Sequence, residues 1–289
     1  MQNSKKGTLY IVATPIGNLE DITFRAVRIL REVDLIAAED TRHSRKLLTH
    51  YGISGPLTSY FDHNKNVKGI VILDKLLQGL SVALISDAGT PCISDPGYQL
   101  IHDAVAADIP VVPVPGPSAA IAALSASGLQ TDSFTFEGFL PNRQGKRRNK
   151  LLALKEEQRV LIFHESPNRL QATLADMLEI LGDREAVVAR EVTKIYEEFT
   201  RGLLSEIIIR YKDRQVKGEI ILLVSPRKVG VENKDFSLSE MLEQLMGKEK
   251  LSLKDAVKRI ATETGMQRSG VYRQALDLVK LKKRRPKND

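Results

Sequence analysis

The sequence is poor in the residues that build disulfide frameworks and metal clusters. Its 289 residues include one cysteine, Cys92, which excludes an internal disulfide and fits a protein of the reducing cytosol. A single thiol also excludes a cysteine-rich zinc site, and the five histidines follow no recognisable ligand spacing. The sequence therefore predicts a cytoplasmic protein that holds no metal.

Long apolar runs and aromatic residues are also scarce. No run approaches the roughly 20 apolar residues of a membrane-spanning helix, and residues 1–7 are polar, unlike a secretory signal. Tryptophan is absent and aromatic residues make up 5% of the chain, so we expect few platforms for stacking nucleobases. The G-x-G-x-x-G pattern of dinucleotide-binding folds is missing too, which disfavours an ordinary Rossmann domain.

The stretch 82–119 is the most informative part of the chain. Two short apolar segments, 82–85 and 109–114, are each followed by a loop rich in glycine and proline and then by a helical pattern. Asp95 and Pro96 predict the start of the first of these helices, because Asp caps helices and Pro favours the first helical position. In a parallel sheet both loops would lie at the carboxyl ends of the strands, where open α/β folds bind ligands.

The rest of the chain shows the same alternation of strands and helices, which predicts a mostly parallel sheet. A strand near 134–140 is predicted to open a second α/β domain with more antiparallel pairing. The polar segment 226–236 is predicted to be a linker, followed by three helices with a turn at Gly265. We therefore predict an α/β protein with two α/β domains, 1–130 and 131–226, and a small helix-turn-helix-like domain over 237–289.

Charge is distributed unevenly along the sequence. Of the formal net charge of +7, +6 falls on residues 236–289, which contain 13 basic and 7 acidic residues. A nearly neutral body with a basic tail predicts a polyanionic partner. The alternative is a tail that is merely solvated and improves solubility.

Seven short motifs occur in order along the chain. They are TPIGN at 14–18, AEDTR at 38–42, SDAGTPCISDPG at 86–97, PGPSA at 115–119, GFLP at 138–141, HESPNR at 164–169 and REVTKIYEE at 190–198. This set closely resembles the bacterial small-subunit ribosomal RNA cytidine 2′-O-methyltransferases, a branch of the tetrapyrrole methylase superfamily. The resemblance covers about residues 7–225, and an added C-terminal domain also occurs in that family.

The resemblance implies two α/β domains with S-adenosylmethionine folded into the cleft between them, and a homodimer. It implies methyl transfer to the ribose 2′-hydroxyl of a cytidine in the decoding region of small-subunit (16S) ribosomal RNA. Glycines fit such a site, because backbone without a side chain can approach the cofactor closely. Carried over by position, the cofactor-binding residues are Pro15, Asp87, Ala88, Gly89, Ile93, Ser118, Ala119 and Leu140.

A ribose hydroxyl is a poor nucleophile, so a general base or a cation that stabilises the alkoxide should help the reaction. Polar residues at the cleft ends are the candidates, namely Glu39, Asp40, Arg42, Glu165, Arg169, Arg190, Glu191, Lys194 and Glu197. Glu165, Glu191 and Lys194 are the three to which we assign catalytic roles. Glu191 and Lys194 are spaced to share one face of a helix. Lys194 would stabilise the alkoxide, and Glu165 or Glu191 would hold Lys194 or accept the proton. The alternative is that these residues form salt bridges between the domains.

Basic residues in two regions are predicted to contact RNA phosphates, which position the substrate without reading its sequence. One region is a basic loop over 143–150 and the other is the C-terminal tail. The candidates are Arg143, Lys146, Arg147, Arg148, Arg273, Lys282 and Arg284. We expect recognition of folded ribosomal RNA, in the assembled small subunit, rather than of a short single strand.

Two other classes of function are compatible with parts of the sequence. Methyl transfer to a carbon of a corrin or porphyrin fits the superfamily, but it leaves the basic tail and the basic loop unexplained. A DNA-binding regulator whose α/β part senses a small molecule fits the tail, but it leaves the ordered loop motifs unexplained.

Overall fold

Two five-stranded sheets lie in one compact unit, residues 1–227, and the C-terminal helices belong to a second unit, 228–289. The computed structural model describes residues 6–227, 241–242, 244–248, 250–264 and 268–283. Each sheet is flanked by helices on its faces, as the α/β composition predicts. Within the described residues, no helix combines the length and apolarity needed to cross a bilayer.

The first sheet is parallel throughout, as predicted, with the strand order β3-β2-β4-β1-β5. Its strands are β1 (Leu9–Val12), β2 (Leu35–Ala38), β3 (Leu57–Ser59), β4 (Val82–Ile85) and β5 (Val111–Val114). Its helices are α1 (Phe24–Glu32), α2 (Thr41–His50), α3 (Lys65–Leu77) and α4 (Tyr98–Ala106). The central strands are apolar at every position because both faces of the sheet are covered. The loops that follow β1, β4 and β5 therefore meet at one edge.

The helix start predicted at Asp95 was wrong, and α1 also begins only after a short turn. A short 3-10 turn (Leu19–Asp21) precedes α1, which begins only after Thr23, whose side chain accepts from the backbone N–H of Ala26. The helix expected to start at Asp95 begins at Tyr98 instead. The chain before it turns through left-handed backbone at Cys92 and Ser94, so the Asp95-Pro96 pair stays in the loop.

The second sheet has the order β6-β7-β10-β8-β9, and after the parallel pair β6/β7 its neighbours are antiparallel, as expected. Its strands are β6 (Phe134–Phe139), β7 (Val160–Glu165), β8 (Glu185–Arg190), β9 (Glu198–Leu203) and β10 (Ile220–Val224). Helices α6 (Gln144–Ala153), α7 (Leu170–Leu181) and α8 (Leu204–Tyr211) cover one face. The edge strand β9, whose sequence EFTRGL has little apolar alternation, was not predicted.

Helix α5 (Ala119–Ser125) comes from the first half of the chain but packs on the second sheet. Its Ala123 and Leu124 share an apolar cluster with Ile162 of β7 and Ile221 of β10. The chain therefore crosses from one sheet to the other in the loop 115–118. This crossing places that loop at the junction of the two sheets.

The predicted basic loop at 143–150 is largely a helix, α6. Arg147 and Leu151, four residues apart, form its buried face. The charge of Arg147 is buried against Asp176 of α7, so a run without acidic residues in sequence is neutralised by a distant helix. Residues that looked like solvated loop are in part packed inside the domain.

The C-terminal unit contains a short π-helical turn (Gln244–Lys248) and helices α9 (Leu253–Thr264) and α10 (Arg268–Lys283). Its core contains Ala256, Val257 and Ile260 of α9, with Ala261 partly buried beside them. Ser252 caps α9 by accepting from the backbone N–H of Asp255. Most of the predicted linker and the turn at Gly265 lie outside the described residues.

Candidate functional site

The loops that follow β1, β4 and β5 are bonded to one another. Thr14 and Gly89 exchange both backbone hydrogen bonds, with N···O distances of 2.9 and 3.0 Å. The hydroxyl of Thr90 donates to the carbonyl of Pro117 at 3.2 Å. The three loops therefore form one rim at the carboxyl edge of the first sheet.

Two glycines in this rim lie close to neighbouring groups. Gly89 has a φ of +84°, and a Cβ atom there would lie 3.3 Å from Cγ2 of Ile16. A Cβ atom at Gly116 would lie 3.0 Å from Cβ of Ala13. Cys92 and Ser94 hold φ values of +72° and +67°, which non-glycine residues rarely adopt and which often mark ligand sites. The backbone of these loops therefore forms a defined surface at the rim rather than a simple turn.

A cleft of about 250 Å³ lies between this rim and the end of the second sheet. Five of the predicted cofactor residues line it, namely Ala88, Gly89, Ile93, Ser118 and Ala119. The other three are outside that lining. Asp87 accepts the backbone N–H of Asp40 at 3.0 Å, Pro15 is buried, and Leu140 packs in the core of the second sheet.

Several residues that line the cleft were not singled out from the sequence. They are Ile16, Thr90, Ser94, Asp95, Ala120, Phe139, His164, Val192, Glu219, Ile220 and Ile221. Asp95 was assigned only as a helix cap. One signal could have identified Asp95 as a lining residue. It lies in the second turn of the loop that follows β4, three residues after Cys92.

Carboxylates crowd one side of the cleft. Burial, together with the negative charge of Asp87, raises the pKa of Asp95, although a hydrogen bond with Ser86 acts the other way. Burial and the charges of Asp95 and Asp87 also raise the pKa of Glu39. This side of the site therefore favours positively charged ligand groups.

The predicted catalytic pair Glu191 and Lys194 is in contact, but on a turn rather than a helix. Glu191 and Thr193 have φ values of +52° and +68°, and the turn brings Nζ of Lys194 to 2.9 Å from Oε1 of Glu191. The same ammonium lies 3.3 Å from Oε2 of Glu219, whose residue lines the cleft. Glu191 and Lys194 are therefore close to each other, as predicted, but a turn rather than a helix brings them together.

The electrostatics of this cluster favour the charged forms. Burial opposes the ammonium of Lys194, but the hydrogen bond to Glu191 and the charge of Glu219 outweigh it and raise the pKa of Lys194. Burial likewise opposes the carboxylate of Glu191, but the backbone N–H of Glu219 and the ammonium of Lys194 lower its pKa. Lys194 is therefore a cation, and Glu191 is a poor proton acceptor.

Glu165 ends β7 and is almost fully buried. Its carboxylate accepts from the hydroxyl of Thr173 at 2.5 Å and from the backbone N–H of Ser166 at 2.8 Å. Nε of Arg169 lies 3.3 Å from the same carboxylate. Arg169 in turn donates to the carbonyl of Leu140 at 2.7 Å. Glu165 is therefore placed to hold Arg169 and the loop after β6.

The predicted RNA-contacting residues have unequal surroundings. Arg143 and Lys146 are exposed at the start of α6, and Arg273 is exposed on α10. Arg147 is buried in its ion pair with Asp176, 2.7 Å away, so it does not fit a surface phosphate contact. Arg148 is shared between Asp176 and Glu179. The side chain of Lys282 and all of Arg284 lie outside the described residues.

The site fits the cofactor that the resemblance implies. Gly89 lines the cleft, and because it has no side chain a ligand can approach its backbone closely. Apolar residues such as Ile93 and Val192 can cover a flat ring system, while the carboxylates beside Asp95 favour cationic groups. Across the described part of the chain, no three His, Cys, Asp or Glu side chains are grouped to hold a metal ion.

Comparison with known proteins gives near-full-length relatives. The chain is 47% identical over 275 residues to the ribosomal RNA small subunit methyltransferase I of Halalkalibacterium halodurans, covering 94% of this chain and 95% of that protein. It is 48% identical over 274 residues to the protein of the same name from Vibrio cholerae, covering 93% and 94%.

The fold and a family model agree with these relatives. A uroporphyrin-III C-methyl transferase from Thermus thermophilus, solved in complex with S-adenyl homocysteine, superposes with a TM-score of 0.53 at 19% identity, covering 75% of this chain and 97% of that chain. The model of the tetrapyrrole (corrin/porphyrin) methylases matches residues 8–208. Two α/β sheets around one cleft, the family model and the near-full-length relatives together place the chain in the tetrapyrrole methylase family, to which it belongs.

Proposed function

We propose that this protein transfers a methyl group from S-adenosylmethionine to the ribose 2′-hydroxyl of a cytidine in the decoding region of small-subunit ribosomal RNA. S-adenosylmethionine is the methyl donor of the family. The observation that carries the ribosomal substrate is 47–48% identity over almost the whole chain to proteins named ribosomal RNA small subunit methyltransferase I. The aligned stretch covers 93–94% of this chain, so it extends into the C-terminal region as well as across the two α/β sheets.

The cleft supports the cofactor part of the proposal. S-adenosylmethionine would supply a methyl group on its sulfonium, whose carbon–sulfur bond breaks as the ribose oxygen attacks the methyl carbon in line, with S-adenosylhomocysteine as the leaving group. Gly89, Ser118 and Ala119 would hold the cofactor, and Ile93 would cover it. The protein mainly binds, orients and excludes water, because proximity supplies much of the rate enhancement in such a transfer.

We assign three different roles to the catalytic candidates. Lys194, a cation 3.3 Å from Glu219 of the cleft lining, stabilises the negative charge that develops on the ribose oxygen as its proton passes to water. Glu191 positions Lys194 through its 2.9 Å hydrogen bond. Glu165 lines the cleft, but its carboxylate is already used by Thr173 and Arg169, so it positions Arg169 rather than accepting the proton.

The substrate partner is ribosomal RNA, bound as part of the assembled small subunit. Exposed Arg143, Lys146 and Arg273 contact phosphates, which accounts for affinity and for its dependence on salt. The protein works in the cytoplasm, where ribosomes assemble, and it does so as a homodimer, as the resemblance implies.

Labelled S-adenosylmethionine tests this function directly. Assembled small subunits, protein-free ribosomal RNA and uroporphyrinogen are each incubated with the enzyme, and the labelled product is mapped. We expect label on one ribose of the small-subunit RNA, resistant to alkaline cleavage at that position. Label on uroporphyrinogen alone would replace the proposal with tetrapyrrole methylation, and label on neither would leave the α/β unit as a binding module.

A further inference from the structure

Two aromatic rings are stacked at the cleft. The ring of Phe139, the last residue of β6, lies 5.2 Å from the ring of His164 on β7, with an angle of 28° between their planes. Phe136 contacts the same imidazole edge-on at 5.3 Å. Phe139 and His164 both line the cleft. The three rings form an aromatic cluster in a protein that has few aromatic residues.

A β-bulge creates this arrangement. The register of β6 against β7 shifts between Phe136 and Gly138, and Gly138 takes a left-handed φ of +62°. Alternation would place Phe136 and Phe139, three residues apart, on opposite faces of a regular strand. The extra residue instead pairs Phe139 with His164, so that both phenylalanines contact the same ring. Bulges that re-aim a side chain in this way are frequent beside active sites.

The loop that directly follows Phe139 is held in place by hydrogen bonds from Arg169. Arg169 donates to the carbonyls of Leu140 and Pro141, directly after Phe139, at 2.7 and 3.3 Å. It donates to the side-chain oxygen of Asn142 as well, and its Nε lies 3.3 Å from the carboxylate of Glu165. The loop after Phe139 is thus preorganised, which lowers the entropic cost when a ligand stacks on the ring.

The outer face of Phe139 is open, since 59% of the residue is exposed. Its inner neighbour His164 is largely an uncharged ring at neutral pH, because burial lowers the pKa of His164 despite the opposing charge of Glu219. An exposed phenyl ring backed by a neutral ring offers a flat apolar face at the entrance of a polar cleft. Such faces stack on the bases of unpaired RNA.

We propose that Phe139, backed by His164, is the platform on which the base of the target nucleotide stacks while its ribose enters the cleft. The proposal rests on the proposed function, because it concerns the nucleotide that would be methylated. The occupant is a single unstacked nucleobase, and the ring supplies orientation rather than hydrogen-bond readout. The adenine of the cofactor is the competing occupant of the same face.

The absence of tryptophan makes a direct test possible. Phe139→Trp introduces a single tryptophan at the platform, and Phe24→Trp introduces one at a residue that is 99% exposed on α1 and outside the cleft lining. With S-adenosylhomocysteine bound, cytidine 5′-monophosphate should quench the fluorescence of Phe139→Trp and leave that of Phe24→Trp unchanged. Ribose 5-phosphate, which has no base, should quench neither. Quenching by ribose 5-phosphate, or none by the nucleotide, overturns the platform.

Kinetics supply the second measurement. We expect Phe139→Ala to raise the KM for small subunits about tenfold, with Phe139→Trp close to wild type and Phe24→Ala unchanged. The Kd of Phe139→Ala for S-adenosylmethionine, measured by calorimetry, should stay within about twofold of wild type. A larger loss of cofactor affinity would assign the ring to adenine and overturn the proposal. If the wild-type enzyme methylates no ribosomal RNA, the proposed function fails, whereas nucleotide quenching still decides the platform.

Discussion

The side chain of Lys194 packs against the backbone of Gly17, so closely that a Cβ atom at Gly17 would lie 2.3 Å from Cγ of Lys194. Gly17 follows β1 of the first sheet, and Lys194 follows β8 of the second. The contact therefore joins the two halves of the 1–227 unit next to the cleft. The ammonium group of Lys194 forms ion pairs with Glu191 and Glu219.

Replacing this glycine tests whether the packing positions the ammonium. Gly17→Ala should displace Lys194 and lower the single-turnover rate of methyl transfer at least tenfold, because no real Cβ atom tolerates a 2.3 Å contact. Gly55→Ala is the matched control, since a Cβ atom there meets nothing within 4 Å. Equal rates for the two variants would show that the packing has no part in the reaction.

Removal of the ammonium itself separates chemistry from structure. We expect Lys194→Met to lower the single-turnover rate on the order of a hundredfold while the free energy of unfolding stays within about 1 kcal/mol. A contact made mainly in the transition state affects turnover, whereas a contact between the sheets affects stability. A lower melting temperature with normal turnover per folded molecule would make Lys194 and Glu191 a structural ion pair.

The close backbone approach at the rim predicts a loss of cofactor binding. Gly89→Val should abolish binding of S-adenosylmethionine in calorimetry, because a branched side chain would fill the cradle next to Ile16. Gly128→Val is the control, since Gly128 has a similar φ of +80° but open space around its Cβ position. Normal binding by Gly89→Val would remove this loop from the cofactor site.

Binding of S-adenosylmethionine to the wild-type protein should survive extensive chelation, and a loss of binding on chelation would reveal a metal.

The buried pair of Arg147 and Asp176 should dominate the stability of the α6–α7 contact. Asp176→Ala should lower the free energy of unfolding by about 3–5 kcal/mol, because it leaves the guanidinium of Arg147 buried without its partner. Glu179→Ala, which removes an exposed partner of Arg148, should unfold close to wild type. Denaturant unfolding of both variants decides the matter, and a small effect at Asp176 would mean that water reaches the pair.

The same pair gives stability a defined dependence on pH. Burial raises the pKa of Asp176, but hydrogen bonds from Arg147 and Gln144 outweigh it and hold the pKa below the ordinary 3.8. The carboxylate therefore contributes its full stabilisation above pH 3.8, and loses it as the pH falls through the lower folded value. Asp176→Asn should remove this contribution, which shows as a shallower loss of stability in acid.

The C-terminal unit should contribute affinity for RNA and little for the cofactor. A chain ending at Arg227 should keep its Kd for S-adenosylmethionine, since residues 1–227 form their own compact unit. Its affinity for small subunits should fall, and the slope of log affinity against log salt should become shallower by about one unit for each phosphate that the shortened chain no longer binds. An unchanged slope would assign the tail to folding or to dimerisation.

The sequence by itself determined the fold class and the position of the cleft. Short apolar segments such as 82–85, bounded by glycine and proline, indicate buried strands, and the glycine and proline residues that follow them indicate loops at strand ends. These are local properties, set by neighbours a few residues apart. The ordered motifs in those loops added the family and five of the residues that line the first-sheet side of the cleft, namely Ala88, Gly89, Ile93, Ser118 and Ala119.

Only the tertiary structure decided which distant groups became partners. It packed α5 on the second sheet, placed Asp176 against Arg147, and used a bulge to turn Phe139 towards His164. Each of these outcomes depends on contacts between residues more than twenty positions apart, whose free energy is gained only once the chain has brought them together. Charge and aromatic content along the sequence therefore indicated a basic loop and few stacking platforms, whereas packing made the loop a helix and placed one aromatic pair at the cleft.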